Sequence, residues 1–457
     1  MSAAAPGPKQ PEQPPNPESS GRRGNPEPGG RLGLGRQFKL LWAGQSVSYI
    51  GDKVNVFVVP AVMILLLHAS AFQVGLVAMA QYLAIPLLSL VAGMLVDRWD
   101  LRLTLVACDL IRFTVILLVM VAYWSGHLSV ALLFFSVAIV NAASVFFTIG
   151  YTATIANVVP AEGRVAAYSN METSRTAAEV VGPAVASFLY QVMGIAALLV
   201  DAGSYLFSAG AIRSMRGYGE RKKIEQSMGE RLKAGVRLNW TDPVLRGTLI
   251  GTFIMNVGGP VYVTVMPILA YRGLHLSVGT YGLAMSVAAA AALAGALVAQ
   301  RVSKLIGAAR LMPMAVFAHS AVGLGILLAP TLPSAIVVGA VLSCYGVTMV
   351  WYNVCTAAVR QVRIPVADQA VSAAAFRTLT WGIIPVSALL AGVFVQMLTP
   401  GHGVLNACKI TMACATLIGT LFAWPPEAGI QRKLDREKAL AGAASAASPA
   451  APVGSTA

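Results

Sequence analysis

The sequence predicts an all-α polytopic membrane protein with twelve transmembrane helices in two six-helix halves. Three observations carry that expectation. Of 457 residues, 56% are hydrophobic and 11% charged, whereas soluble domains carry about 25% charged residues. The apolar residues gather in runs of the ~20 residues needed to cross a bilayer. The first six runs also match the second six. Only helices or closed barrels satisfy their backbone in lipid, and these runs are too long and too evenly apolar for barrel strands.

Taken in order, residues 1–36 hold eight of the 25 prolines and predict a disordered cytoplasmic tail, because such a composition buries too little surface to fold. Residues 37–212 form the first half, with helices over 38–66, 72–96, 103–124, 129–152, 166–190 and 194–212. Residues 213–243 read as a cytoplasmic linker. Residues 244–424 form the second half, with helices over 244–270, 277–299, 311–329, 333–356, 372–398 and 404–424. Residues 425–457 form a second cytoplasmic tail, in which Arg432 to Lys438 suggests a brief surface helix.

The net charge of +14 first admits a nucleic-acid partner. Sorting the 33 lysines and arginines by segment removes it. All but Lys53, Arg112, Arg272 and Lys409 fall in the tails and loops of one side, or at the helix ends flanking them. The positive-inside rule puts that side, and both termini, in the cytoplasm of a multi-pass cell (inner or plasma) membrane protein. The opposite loops are short and hold His68, His127, His275 and His402.

Cysteines 108, 344, 355, 408 and 414 form no CxxC pair, so neither a metal site nor a disulfide framework is expected. There is no GxxxxGK[ST] loop, which excludes ATP as the energy source, and no HExxH or GxSxG motif of an enzyme. Asn239-Trp240-Thr241 matches a glycosylation triplet but falls on the cytoplasmic side.

The repeat is visible in residues. Gly44, Gly51 and Pro60 match Gly251, Gly258 and Pro267 at one constant offset. Gly93, Arg175, Thr176 and Pro183 match Gly295, Arg377, Thr378 and Pro385 at a second, nearly equal offset. Six helices followed by six similar ones give parallel halves, with a substrate site between them near mid-membrane.

The segment Gly93-Met-Leu-Val-Asp97-Arg98-Trp-Asp100-Leu-Arg102 follows the second helix. It resembles the Gly-x-x-x-Asp-Arg-x-Gly-Arg-Lys/Arg loop of the major facilitator superfamily. Asp100 replaces the second glycine and Leu101 an arginine. The opening Phe38-x-x-Leu41-Trp42-Ala-Gly44-Gln45-x-x-Ser48-x-x-Gly51-Asp52 is similar to the drug–proton antiporter branch that includes macrolide efflux and enterobactin export proteins. So are Asp109-Leu-Ile-Arg112, Val181-Gly182-Pro183 and Asp201-Ala-Gly-Ser-Tyr205. The full glycine series of the antiporter motif is missing from helix five.

The resemblance implies the major facilitator fold and alternating access. It also implies export of small amphipathic molecules by proton antiport, as in multidrug efflux and antibiotic resistance. The proton gradient is then the energy source, with no cofactor, no metal, and a monomer in the lipid membrane. Gly93, Asp97, Arg98 and Arg102 would form the conformational-switch loop, which in the family stabilises the outward-facing state. A dedicated exporter of one metabolite or siderophore is the near alternative; a polytopic enzyme or non-transporting receptor is the remote one.

A charge at mid-membrane costs at least ~2.5–3.5 kcal/mol, so each one has a partner or a task. Asp52 is the first proton-coupling candidate, with a fixed ion pair as the competing reading. Adjacent Lys53 points elsewhere, so the two cannot share a partner. Asp109 and Arg112 share a helix face and are further proton-coupling candidates; the competing readings are a structural pair, or an Arg112 that balances Asp52 or an anionic substrate. Glu179 is the second proton-coupling candidate, against simple packing on Arg112 or Arg175. Asp201 reads as structural, and His319 as a packing residue more than a relay. Gly182, Pro183 and Pro385 are hinge candidates, since proline removes a backbone donor.

Overall fold

The computed structural model describes residues 34–96, 98–215, 228–365 and 368–447. Among these residues every regular element is helical. The elements are α1 (Arg36–Ala61), α2 (Ala71–Val96), α3 (Leu101–Trp124), α4 (Val130–Val158), α5 (Arg164–Met193) and α6 (Leu198–Arg213). Then follow α7 (Met228–Thr241), α8 (Pro243–Ile268), α9 (Val278–Ile306), α10 (Ala308–Leu324), α11 (Ser334–Arg363), α12 (Gln369–Trp381) and α13 (Ile384–Ala447). Ten stretches are long and apolar enough to span a membrane. Two of them, Ala161–Arg213 and Val371–Glu437, run to 53 and 67 residues. The first is broken at Gly194 (φ 60) and the second at Gly403 (φ 73). Each is long enough for two crossings, and counting them so gives twelve.

The repeat extends to backbone irregularities. α1 ends in a π turn at Val62–Leu66 and α8 in one at Leu269–Gly273. Each turn leads to a histidine at positive φ, His68 (φ 48) and His275 (φ 52). Ser70 and Ser277 then start α2 and α9, each hydroxyl accepting from the amide three residues on, at 3.3 and 3.2 Å. These pairs stand at the same offset as Gly44 and Gly251. π turns are rare and frequently sit at functional sites, so chance recurrence at matched positions is a poor account of them.

α1 packs on α5 and α6, α3 on α4 and α6, and α8 on α13; the halves meet through α2 on α13 and α5 on α9. Toward the side that carries the termini, each half has its own apolar core. One contains Phe38, Leu105, Phe147 and Ile212, the other Val244, Val316, Tyr352 and Ile430. On the far side a single core merges both halves, joining Met63 and Val119 to Val265 and Val395. Small residues permit that closure. A Cβ on Gly392 would lie 2.9 Å from the Gly75 Cα, and one on Gly282 would lie 3.0 Å from the Pro183 carbonyl oxygen. Arg272, one of the four cations outside the termini-side segments, donates to the Ile64 carbonyl of the other half at 3.2 Å.

Two expectations need correction. The 213–243 linker contains a packed amphipathic helix, α7, which lies against α12 and α8. Its Asn239 is buried and donates to the carbonyls of Gly235 (2.8 Å) and Ser372 (3.0 Å). Asparagine at this position is therefore a docking contact. The segment after 424 is a continuation of α13 to Ala447 and not a separate brief helix. It is held through Arg363, which bonds Glu437 and also Asp242 at 2.7 Å.

Asp242 caps α8, accepting from Val244 N at 2.7 Å and Leu245 N at 3.1 Å. Partial burial pushes its carboxyl up, but these amides and Arg363 outweigh that and hold it below the ordinary carboxylate range. A carboxyl lowered by folding stabilises the fold above its unfolded value and loses that contribution as pH falls through the folded value. Wild-type protein should therefore lose more thermal stability than Asp242→Asn on acidification from about pH 5 to about pH 3. Parallel losses in Tm would refute this role.

Candidate functional site

Between the halves lies a cavity of about 310 Å³. Its first-half wall includes Asp52, Asn55, Gln81, Asn141, Ser144 and Tyr205. Its second-half wall is uncharged, with Tyr262, Tyr271, Tyr281 and Tyr345 among Val, Met and Pro side chains. Phe57 and Met63 also line it. Phe147 and Tyr352 instead fill the separate cores of their own halves.

α1 carries the charged centre. Successive helix positions point in different directions, and Asp52 and Lys53 diverge as that geometry requires. Asp52 accepts from the Tyr205 hydroxyl of α6 at 2.6 Å. Lys53 bonds Glu179 of α5 at 2.7 Å. Gly182 makes this approach possible, since a Cβ there would sit 2.5 Å from the Lys53 Cβ. This gives Gly182 a packing role. Glu179 also takes Arg175 at 3.2 Å, and Arg175 grips Glu172 at 2.5 and 3.0 Å. Glu179 is 42% and Arg175 45% exposed, so this network is wet. It opens toward the side of the termini, opposite the merged core.

Asp109 and Arg112 form an ion pair one turn apart on α3, with Asp109 fully buried and Arg112 2% exposed. The guanidinium is sandwiched over Phe147 at 4.4 Å and Tyr205 at 4.3 Å. Tyr205 thereby links this pair to Asp52. Asp201 is fully buried at the start of α6 and accepts from Asn55 at 2.9 Å. Sequence reasoning left Asn55 out and met Tyr205 only as the end of a family motif, without a role. The signal available was a polar residue one turn from Asp52 on α1, and a tyrosine one turn from Asp201 on α6.

The remaining candidates are dispersed. Gly93 lies in the last two turns of α2, and Asp97 lies outside the described residues. Arg102 donates to the Arg213 carbonyl at the end of α6, where a cation suits the helix dipole. Asp100, which departs from the family pattern, is the N-cap of α3 and accepts from Leu103 N at 2.9 Å. α5 runs through Pro183 unbroken, whereas its counterpart breaks at Gly382–Ile383 just before Pro385. His319 is buried in a ring cluster with Tyr262 and Tyr345, centroids 6.0 and 4.7 Å away.

Comparisons follow the same lines. Residues 41–389 match the family model described as Major Facilitator Superfamily. Comparison with curated proteins finds no match. Among solved structures, the nucleoside transporter NupG is similar with a TM-score of 0.71 and 13% identity, over 86% of this chain and 99% of that one. A bacterial homologue of the human lysosomal transporter Spinster, inward-facing and occupied, gives 0.69 at 13% identity, over 86% and 96%. A D-xylose–proton symporter gives 0.62 at 13% identity, over 85% and 95%. Likeness at such identities speaks for the fold alone, and the family match covers three quarters of the chain. The chain belongs to the major facilitator superfamily.

Proposed function

We propose that this protein exports small amphipathic molecules, of the drug or antibiotic kind, across the cell membrane by proton antiport and alternating access. The observation that carries the reading is Asp52. It is a cavity-lining carboxylate whose bonding partner is a neutral phenol, facing a second wall of tyrosine and aliphatic groups. Such a site suits a molecule with an apolar body and a polar or cationic group. A carboxylate without a bound cation is also able to take up and release a proton.

The side carrying the termini is assigned to the cytoplasm, because the basic residues concentrate there. Separate cores on that side, and one merged core on the other, then correspond to a cytoplasm-open state. Closing the cytoplasmic side while opening the far side would carry a bound molecule outward. The loop from Gly93 to Arg102 is the proposed latch, and Glu179 with Lys53 and Arg175 a second polar switch at the mouth.

The test uses purified protein in liposomes with ethidium and a panel of macrolides under an imposed pH gradient. Wild-type protein should move at least one probe against its gradient, and Asp52→Asn should fall to the level of empty liposomes. Equal export by Asp52→Asn and wild type would sink the coupling role of Asp52.

A further inference from the structure

Three carboxylates and one cation meet where α1, α3 and α6 cross: Asp52, Asp109, Asp201 and Arg112. Arg112 is committed to Asp109. Lys53, adjacent to Asp52, is committed to Glu179. Facing the cluster from α4 are Ser144, 3.5 Å from Arg112, and Asn141; from the second half come the neutral tyrosines of the cavity wall. Among the described residues two carboxylates are thus left without an ion-pair partner, and one of them, Asp201, is fully buried. An ionised carboxylate in that position is costly unless it is paired.

The hydrogen bonding makes the shortage specific. Asp201 Oδ2 accepts from Asn55, while Oδ1, buried, has no hydrogen-bond partner among the described residues. Tyr205 lies one turn from Asp201 on the buried face of α6, and its hydroxyl bonds Asp52. A phenol has one proton, and here it goes to Asp52. Its oxygen keeps lone pairs free to accept.

We propose that Asp201 holds a proton, and that the Tyr205 hydroxyl relays it to Asp52 at the cavity wall. The step balances without redox. The O–H bond of the Asp201 carboxyl breaks as its proton moves to Tyr205 Oη. The original Tyr205 O–H bond breaks as that proton moves to Asp52 Oδ1. Tyr205 is regenerated neutral, Asp201 becomes the carboxylate, and Asp52 becomes the acid. One proton has moved from a sealed position to a cavity-facing one. A cationic group of a bound molecule at Asp52 would reverse the transfer and drive the proton back to Asp201. This rests on the proton-coupled reading above and adds to it a storage residue, a relay and the charge class of the substrate.

The test is infrared difference spectroscopy of the purified full chain between acid and alkaline buffer, in H₂O and D₂O, with choline or sodium as the salt cation. It uses neither gradient nor substrate, so its result is independent of the liposome assay. Wild-type protein should show a deuterium-sensitive C=O band of a protonated carboxyl in choline buffer. Asp201→Asn should abolish that band, and Asp52→Asn should retain it. Tyr205→Phe, which keeps the ring over Arg112, should move the band to higher frequency through loss of the hydrogen bond. A band unchanged in Asp201→Asn would overturn the proposal. If Asp201→Asn does not fold, a band unmoved in Tyr205→Phe would do the same. Disappearance of the band on adding sodium at constant pH would assign the place to a metal cation instead and also overturn it.

Discussion

Replacing Arg112 with alanine should cost about 3–5 kcal/mol of stability, the range for removing one partner of a buried ion pair. Asp109 would remain fully buried with its guanidinium gone. The rings of Phe147 and Tyr205, each within 4.4 Å of that guanidinium, would face a void. Arg112→Lys should rescue little, because an ammonium neither forks to a carboxylate nor stacks on two aromatic faces. Asp109→Asn combined with Arg112→Ala should recover much of the loss, since the orphaned charge is then absent. Thermal unfolding in detergent, followed by aggregation-sensitive scattering, reads all four proteins. A double variant that melts no higher than Arg112→Ala, or an Arg112→Ala protein that melts with wild type, would refute the pairing.

The second large effect concerns equilibrium between states. Gly392→Val places branched carbon where a Cβ already lies 2.9 Å from the Gly75 Cα and 3.0 Å from the Gly75 N. Backbone faces backbone there, so no side chain can swing aside. Overpacking of this kind costs typically 1–3 kcal/mol, and the halves can relieve it by parting on the far side. A cost of that size shifts a two-state population about 5- to 150-fold. A cysteine placed at Gln191, which packs beside Gly279 at the same closure, reports the opening in a background with Cys344 and Cys414 replaced by serine. Its labelling by a membrane-impermeant thiol reagent should accelerate in Gly392→Val. Gly203→Ala, at a position where a Cβ meets nothing within 4 Å, should leave the rate unchanged. Equal labelling of Gly392→Val and wild type would refute the closure.

Much of the fold was readable because lipid permits so few architectures. Apolar run lengths located the helices, and constant offsets related the halves. Spacing rules also worked locally: Asp109 and Arg112 pair along one helix, and Asp52 and Lys53 part company. What sequence could not supply was contact between helices. Asn55 meets Asp201, and Asp52 meets Tyr205, across separations of 146 and 153 residues. Without that geometry Asp201 looked structural, and neither of the two polar groups that surround it was given a role. The helix in the linker was missed for a related reason. α7 is short, and part of its order comes from α12, through Asn239 and the close approach of Gly235 to Val371. Its own residues signal only an amphipathic stretch.

The separate core of the first half has a consequence for synthesis in the cell. Every residue of that core, from Phe38 to Met215, precedes α7. It is complete while the 232 residues from there to the end of α13 at Ala447 remain to be translated. At about 5–20 residues per second that wait lasts roughly 10–50 s. During it, the faces of α2 and α5 that will meet α13 and α9 border lipid instead. Glycine and small side chains such as Gly75 and Ser187 on those faces leave no unpaired charge to the bilayer, so the nascent half can stand alone until its counterpart arrives.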